Sequence, residues 1–206
     1  MIKLRIATGL GLVLFMATMI GGPVRVSQAG EDGVTLADLA GNFASKGSGF
    51  QTLCFNTLFT ALQDCATAPH VVPFNLTQIA HFNRDAAGNT CGVSTSTSAP
   101  VFGTRFPANV VTRTDVTTTL SFDPTTGSGT SSGSQYVGGS CNGAVFDGTG
   151  ATKVGNFTNS FDVSDSGNRI EFINTGYSAV DSAFSVAGSV QGSVFSRTAI
   201  RQHPQN

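Results

Sequence analysis

The sequence predicts an all-β protein whose domain is a single antiparallel up-and-down β-barrel of about eight to ten strands. Apolar and polar residues alternate with period two after residue 71, and clusters of Gly, Asn and Asp separate the alternating segments. Only 11% of the chain is charged against a typical value of about 25%, whereas 16 Phe supply a core. A closed barrel removes the exposed strand edges of so weakly charged a sheet, and a two-sheet β-sandwich is the alternative.

The first 29 residues have the pattern of a secretory signal peptide. Lys3 and Arg5 precede an apolar run from about residue 6 to residue 20, and Ser27 and Ala29 supply the small residues for cleavage after Ala29. A retained membrane anchor is the alternative, but the apolar run is short for one. We therefore expect residues 30–206 to form one mature domain that is secreted or periplasmic.

The charge of the expected mature chain argues against two classes of partner. Cleavage removes Lys3, Arg5 and Arg25 and leaves 8 basic against 12 acidic residues, a net charge of −4. Nucleic acids and anionic membranes both require concentrated Lys and Arg, which the chain lacks. We therefore predict no nucleic-acid partner and no membrane partner after signal cleavage, while the oligomeric state stays unknown.

The mature domain begins with a helical turn at residues 34–39 and a first strand that starts at Gly41. Later strands show clear alternation. One face of the second strand carries Phe74, Leu76, Ala80 and Phe82. In the segment from residue 110 to 122, Val110, Val116, Leu120 and Phe122 share one face, and Arg113, Asp115 and Thr117 lie on the other. The last strand covers residues 189–201.

Four cysteines form an even set in a chain that we expect to be exported: Cys54, Cys65, Cys91 and Cys141. Of the three possible pairings, we favour Cys54 with Cys65 and Cys91 with Cys141; four unpaired thiols are the alternative. Apolar residues at helical spacing between residues 50 and 65 conflict with the first pair, because eleven residues of helix span about 16 Å. Either this segment is not one helix or the pairing differs.

No residues in the sequence have the pattern of a catalytic, cofactor or metal site. Residues 129–133 match the Gly-x-Ser-x-Gly nucleophile pattern, but no helix follows them and the only later histidine is His203. The Asp residues lie mainly in turns, and the Cys and His spacings are not those of metal ligands. We predict no catalytic residue, cofactor or metal. Whether the protein is an enzyme stays open, and we favour the interpretation that it is not.

One short motif carries a family resemblance. Gly41, Asn42 and Phe43 follow the helical turn and resemble the Gly-x-Trp sequence that begins the first strand of lipocalin-like (calycin) barrels, although this chain has Phe in place of Trp. The order of elements over residues 36–201 also resembles this family, including its allene-oxide-cyclase-like branch. The resemblance implies a barrel open at one end, Arg197 or Arg201 packed over Phe43, and residues 50–65 as a lid over the mouth.

A small eight-stranded barrel can hold one small molecule among its inward side chains. A lining of Phe, Val, Leu and Thr would favour an apolar ligand, so we predict an exported binding protein with a small hydrophobic ligand and a cavity of roughly 300 Å³ or more. One alternative is a cell-surface structural or interaction module with a solid core and an exposed apolar patch. Another is a cyclase- or isomerase-like barrel enzyme, which needs an inward-facing polar or charged group.

Overall fold

The computed structural model describes residues 33–101 and 108–203, so the predicted signal peptide lies outside the described residues. The strands are β1 (Gly41–Phe55), β2 (His70–Arg84), β3 (Asn89–Pro100), β4 (Asn109–Asp123), β5 (Ser128–Val137), β6 (Ser140–Asn142), β7 (Val145–Asp147), β8 (Thr152–Ser164), β9 (Arg169–Ala179) and β10 (Val190–Arg201). Eight of them form a closed antiparallel barrel in the order β1-β2-β3-β4-β5-β8-β9-β10, and β10 pairs with β1. The up-and-down barrel is confirmed and the sandwich alternative is wrong.

The two ends of the barrel differ in the length of their connections. At the end that we call the base, β1 begins, β10 ends, and residues 85–88, 124–127 and 165–168 make short turns. The opposite end, the mouth, carries the longer connections, which include residues 56–69 and the β6–β7 hairpin. Short turns allow the base to close tightly, whereas the mouth is bordered by loops.

An apolar cluster fills the base. Its buried members are Leu39, Phe43, Phe82, Phe161, Ile170, Phe172 and Ala199. The 3₁₀ turn Ala37–Leu39 lies against the cluster and inserts Leu39 fully into it. Phe43 and Phe82 stack with ring centres 5.3 Å apart, which places the first aromatic of β1 against β2. Aromatic burial of this kind contributes a large share of the stability of a small domain.

Arg201 joins the end of β10 to this base. Its guanidinium carbon lies 5.3 Å from the centre of the Phe43 ring. Its Nη1 donates to the carbonyl oxygen of Ala40 (2.9 Å), and its Nη2 donates to that of Gly167 (3.2 Å) and to that of Asp38. One side chain therefore satisfies carbonyl groups of the 3₁₀ turn, of the start of β1 and of the β8–β9 connection.

The structure contains both favoured disulfides, with Cα–Cα distances of 5.1 Å for Cys54–Cys65 and 5.6 Å for Cys91–Cys141. Of the two possibilities left open for residues 50–65, the first is correct: the segment is not one helix, because residues up to Phe55 continue β1 and no α-helix occurs in the described chain. The Asn56 side chain accepts a bond from the Thr60 amide (2.9 Å), which competes with helical bonding. Two disulfides fit a protein of an oxidising compartment.

The β6–β7 hairpin is attached to the barrel wall. The disulfide from Cys141 on β6 reaches Cys91 on β3. Gly138 and Gly139, with φ of 78° and 74°, turn the chain out of β5. Phe146 of β7 packs on Tyr136 of β5 with ring centres 4.5 Å apart. The hairpin is thus held against the barrel on two sides.

In the ranges that the structure describes, no helix is long and apolar enough to cross a membrane.

A register shift between residues 119 and 121 changes which side chains of β4 point inward. Leu120 lies at the shift and is 64% exposed. Phe122, two residues later, stacks on Phe161 of β8 with ring centres 6.0 Å apart and packs against the base cluster. A β-bulge of this kind re-aims the side chains that follow it.

Candidate functional site

A cavity of about 190 Å³ lies inside the barrel between the base cluster and the mouth. All eight barrel strands contribute to its wall. The cavity is smaller than the roughly 300 Å³ that we expected, because Phe157, Phe195 and Arg197 occupy part of the interior. It nevertheless differs from the solid core of a purely structural module.

Most of the residues that line the cavity carry polar or charged side chains, unlike the expected lining of Phe, Val, Leu and Thr, although apolar atoms still form much of the exposed wall. Its uncharged polar members are Gln51, Gln78, Ser96, Ser98, Gln135, Asn159, Asn174, Tyr177 and Ser193. Two arginines and one aspartate are also present: Arg113, Asp115 and Arg197. The apolar part consists of Leu76, Val111, Phe157, Phe172 and Phe195. A molecule in this cavity would meet hydrogen-bonding groups and aromatic rings together.

Arg113 and Asp115 enter the cavity because they alternate along β4. The sequence pattern correctly placed them on the face opposite Val110 and Leu120. That face is the inward one, however, while Val110 and Leu120 are each 64% exposed on the outside of the barrel. The apolar side chains of this strand therefore do not mark its buried face.

Asp115 is the most deeply buried ionisable group of the site, with 8% of its surface exposed. Its Oδ1 is buried and accepts no hydrogen bond of ordinary geometry. Burial raises the pKa of Asp115; the positive charge of Arg197 is the largest opposing effect, followed by the nearby side chains of Ser94 and Gln135. In the described chain, the only side-chain ion pair within 4 Å joins Arg169 and Glu171, so Asp115 and Arg197 attract each other without direct contact.

Arg197 forms the floor of the cavity. Its guanidinium carbon lies 4.6 Å from the centre of the Phe172 ring and 5.7 Å from that of Phe82. Enclosure by protein lowers the pKa of Arg197, whereas Asp115 raises it. The aromatic faces supply part of the stabilisation that water would otherwise give to the cation. Arg197 thus packs over aromatic rings inside the barrel, and Arg201 is the arginine that lies over Phe43.

Two glycines of β1 make room for the side chains of β10. A Cβ on Gly47 would lie 2.6 Å from the Cβ of Arg197. A Cβ on Gly49 would lie 2.7 Å from the Cα of Phe195 and would overlap the carbonyl oxygen of Val194. No larger residue fits at either position without movement of the strands. These glycines therefore allow Phe195 and Arg197 to cross the interior.

Arg113 and Tyr177 complete the ionisable groups of the cavity. Nη1 of Arg113 donates to the carbonyl oxygen of Thr112 (3.3 Å). Burial lowers the pKa of Arg113, while Tyr177 and Asp115 raise it. Burial also raises the pKa of Tyr177 above its ordinary value of 10.0. Tyr177 is consequently a neutral hydroxyl at physiological pH, able to donate one hydrogen bond and to accept others.

Asn174 presents an acceptor that lacks a partner. Its Nδ2 donates to the carbonyl oxygens of Thr158 and Gly176, each at 3.0 Å. Its Oδ1 is buried and has no hydrogen-bond partner. Asn174 and Asp115 both line the cavity, so two acceptor oxygens there are unsatisfied by protein. Buried polar atoms without partners are rare in folded proteins.

Arg84 is buried separately from the cavity, in the base. Its Nη2 donates to Oγ1 of Thr119 (2.7 Å), and its guanidinium carbon lies 5.3 Å from the centre of the Phe161 ring. Burial lowers the pKa of Arg84 to about 10. A separate space of about 10 Å³ borders Asp115 and Arg197 on their base side. This is about the smallest space that can hold one water molecule.

The other residues that the sequence singled out lie away from the cavity or belong to its wall. Residues 129–133 form part of β5, with Ser131 buried, so they do not make the strand-to-helix turn of a nucleophile elbow. Residues 50–55 belong to β1, and none of residues 56–65 lines the cavity as a lid would. In the described part of the chain, no three His, Cys, Asp or Glu side chains group as metal ligands.

The closed eight-stranded architecture is compatible with a lipocalin-like fold. The sequence places Arg197 on the last strand but does not identify Asp115, Arg113, Asn174 or Tyr177 as lining residues. The sequence feature that could have identified Arg113 and Asp115 is a pair of opposite charges on one face of a strand, in a chain with few charges.

Comparisons of this chain with protein-family models, with curated proteins and with solved structures find no match.

Proposed function

We propose that this protein is an exported binding protein, released by cleavage after Ala29, that holds one small molecule inside its barrel. The observation that carries the proposal is the cavity of about 190 Å³ with the buried, unpartnered Oδ1 of Asp115 in its wall. An apolar cavity of about 150 Å³ holds benzene in another protein. A molecule of one ring with small substituents therefore matches the size of this interior.

The ligand that we propose has an apolar part and polar groups. The rings of Phe157 and Phe195 offer contacts for the apolar part, as expected for a hydrophobic ligand. Arg113, Asp115 and Arg197 require polar groups as well. Keeping charges inside a domain is costly compared with an apolar core, and this cost is characteristic of functional sites. Binding of a matching molecule would offset that cost.

Native mass spectrometry of protein secreted from its own leader tests the proposal. We expect a species heavier than the polypeptide by the mass of one small molecule. Ser193→Leu, inside the cavity, should reduce its occupancy, and Ser196→Leu on the outer face of the same strand should not. Absence of any added mass, together with no thermal stabilisation by a library of ring compounds, would refute a binding function.

A cyclase- or isomerase-like activity is the second candidate, and Asp115 is the observation that favours it. A buried carboxyl group with a raised pKa can take a proton from one atom of a substrate and return it to another. Tyr177 lines the same cavity and offers a hydroxyl donor. Incubation of the retained molecule with fresh protein should then give a product of equal mass and different chromatographic retention. Asp115→Asn should slow this conversion; an unchanged rate excludes Asp115 as the proton carrier.

A further inference from the structure

We infer that the cavity binds a ring-bearing hydroxy acid as its monoanion. The carboxylate of this ligand faces Arg113 and Arg197, and its hydroxyl group faces the side-chain oxygens of Asp115 and Asn174. The inference rests on the proposed binding function and names the chemical class of its ligand.

The charges that line the cavity select an anion. Arg113 and Arg197 supply two positive charges and Asp115 supplies one negative charge, so one positive charge is in excess. This excess occurs inside a chain whose formal net charge is −1. Charges interact more strongly in a site that excludes water than on a protein surface. A single carboxylate neutralises the excess, and guanidinium groups bind carboxylates through paired donors.

The unsatisfied acceptors of the cavity select a donor on the same molecule. Oδ1 of Asp115 and Oδ1 of Asn174 are buried without partners. Both atoms can only accept hydrogen bonds when the aspartate is ionised. A carboxylate alone would leave them unsatisfied, whereas a hydroxyl group can donate to one of them. The two kinds of lining group therefore require a ligand that carries both an anion and a donor.

The size and the apolar part of the cavity select a single ring as the scaffold. The volume of about 190 Å³ is somewhat larger than the cavity of about 150 Å³ that holds one benzene molecule in another protein. Phe157 and Phe195 lie in the wall and can pack against a flat ring. A cationic ligand would meet two guanidinium groups, and a purely apolar one would leave every charge of the cavity unmatched.

Calorimetric titration of the processed full-length protein tests the inference with four probes. These are 3-hydroxybenzoate, 4-hydroxybenzoate, benzoate and 4-hydroxybenzamide. We expect the better of the two hydroxybenzoates to bind most tightly. Benzoate lacks the donor and 4-hydroxybenzamide lacks the charge, so each should bind at least about 10-fold more weakly. These comparisons use the wild-type protein and do not depend on the folding of a variant.

One variant and its control test whether Arg113 binds the carboxylate of the ligand. Arg113→Gln should weaken the binding of the hydroxybenzoate about 10-fold or more and leave that of 4-hydroxybenzamide nearly unchanged. Arg169→Gln is the matched control, because Arg169 lies on the barrel surface in an exposed pair with Glu171. Circular dichroism verifies that both variants fold.

The possible results separate the inference from the proposed function. If 4-hydroxybenzamide binds as tightly as the hydroxybenzoates, the ligand does not need a negative charge, and that part of the inference is wrong. If benzoate binds as tightly as the hydroxybenzoates, the ligand does not need a hydroxyl donor, and that part is wrong. If none of the probes binds while native mass spectrometry shows a retained molecule, the inference fails and the binding function stands. If neither a probe nor a retained molecule is found, both fail.

Discussion

Arg201, near the end of the last barrel strand, lies 5.3 Å above the ring of Phe43, near the start of the first. The same side chain donates to three carbonyl groups, those of Ala40, Gly167 and Asp38. It therefore joins the two strands that close the barrel to the turn that covers its base. This contact is remote from the cavity, so its effect on stability can be measured separately from binding.

Arg201→Ala should lower the free energy of unfolding by about 2–4 kcal/mol, because it removes these hydrogen bonds and the packing over Phe43. Urea denaturation followed by circular dichroism measures the change. Arg169→Ala is the control, since an exposed ion pair contributes at most about 1 kcal/mol. A loss below about 1 kcal/mol for Arg201→Ala would contradict the role of this residue in closing the barrel.

Gly49→Ala should destabilise the protein by about 1–3 kcal/mol, because the added methyl group would overlap the backbone of Val194 and Phe195. Gly192→Ala provides a matched control on β10, since its Cβ would meet nothing within 4 Å. We expect that variant to be as stable as the wild type or slightly more stable. Thermal unfolding of the two variants checks this, and equal melting temperatures would show that β1 tolerates a side chain at residue 49.

Removal of the Cys91–Cys141 disulfide should cost more stability than removal of Cys54–Cys65. The first closes a loop with a sequence separation of 50 and the second one of 11. Loop-closure entropy predicts losses of about 4 and about 3 kcal/mol. Denaturation of the two double Cys→Ala variants measures both values. If removal of Cys54–Cys65 cost more stability, contacts at the mouth, and not the entropy of the unfolded chain, would determine the effect of each disulfide on stability.

The affinity for benzoate should fall as the pH rises through the pKa of Asp115, and it is measured above about pH 5, where benzoate itself stays ionised. The pKa of Asp115 is raised above its ordinary value of 3.8, so its carboxyl group gains negative charge across higher pH and then repels the anion. The other groups near Asp115 are Arg113, Arg197 and Tyr177, of which Tyr177 stays neutral because its own pKa is raised.

Calorimetry at several pH values measures this dependence. Asp115→Asn should bind benzoate more tightly than the wild type at pH 8, with an affinity that no longer changes with pH. A parallel decline in the variant and the wild type would show that another group controls the affinity.

The barrel itself could be predicted from the sequence, because strand alternation and turn residues are local properties. Phe74 and Phe82 were placed on one face of β2, and both are buried. The helix over residues 50–65 could not be excluded by spacing alone. The bond from the Thr60 amide to the Asn56 side chain, which turns this segment, competes with helical bonds that the same residues could make.

The site was predictable only in part. Alternation put Arg113 and Asp115 together, but hydrophobicity does not reveal that the polar face of β4 points inward, because the outer face carries exposed Val110 and Leu120. Tyr177 enters the cavity after a register shift at the pairing of Thr158 and Asn159 with β9. The shift depends on the neighbouring strand, which the local sequence does not show.

The aromatic base and the charged cavity follow one another along the axis of the barrel. Leu39 and Phe43 belong to the base, which stabilises the fold, and Arg113 belongs to the cavity, where a ligand would lie. Residues of the cavity wall such as Arg113 could therefore be exchanged while the apolar base keeps the fold, and Phe172 is the residue that belongs to both. Under the proposed binding function, the same division would let natural variants acquire new specificities without losing their capacity to fold.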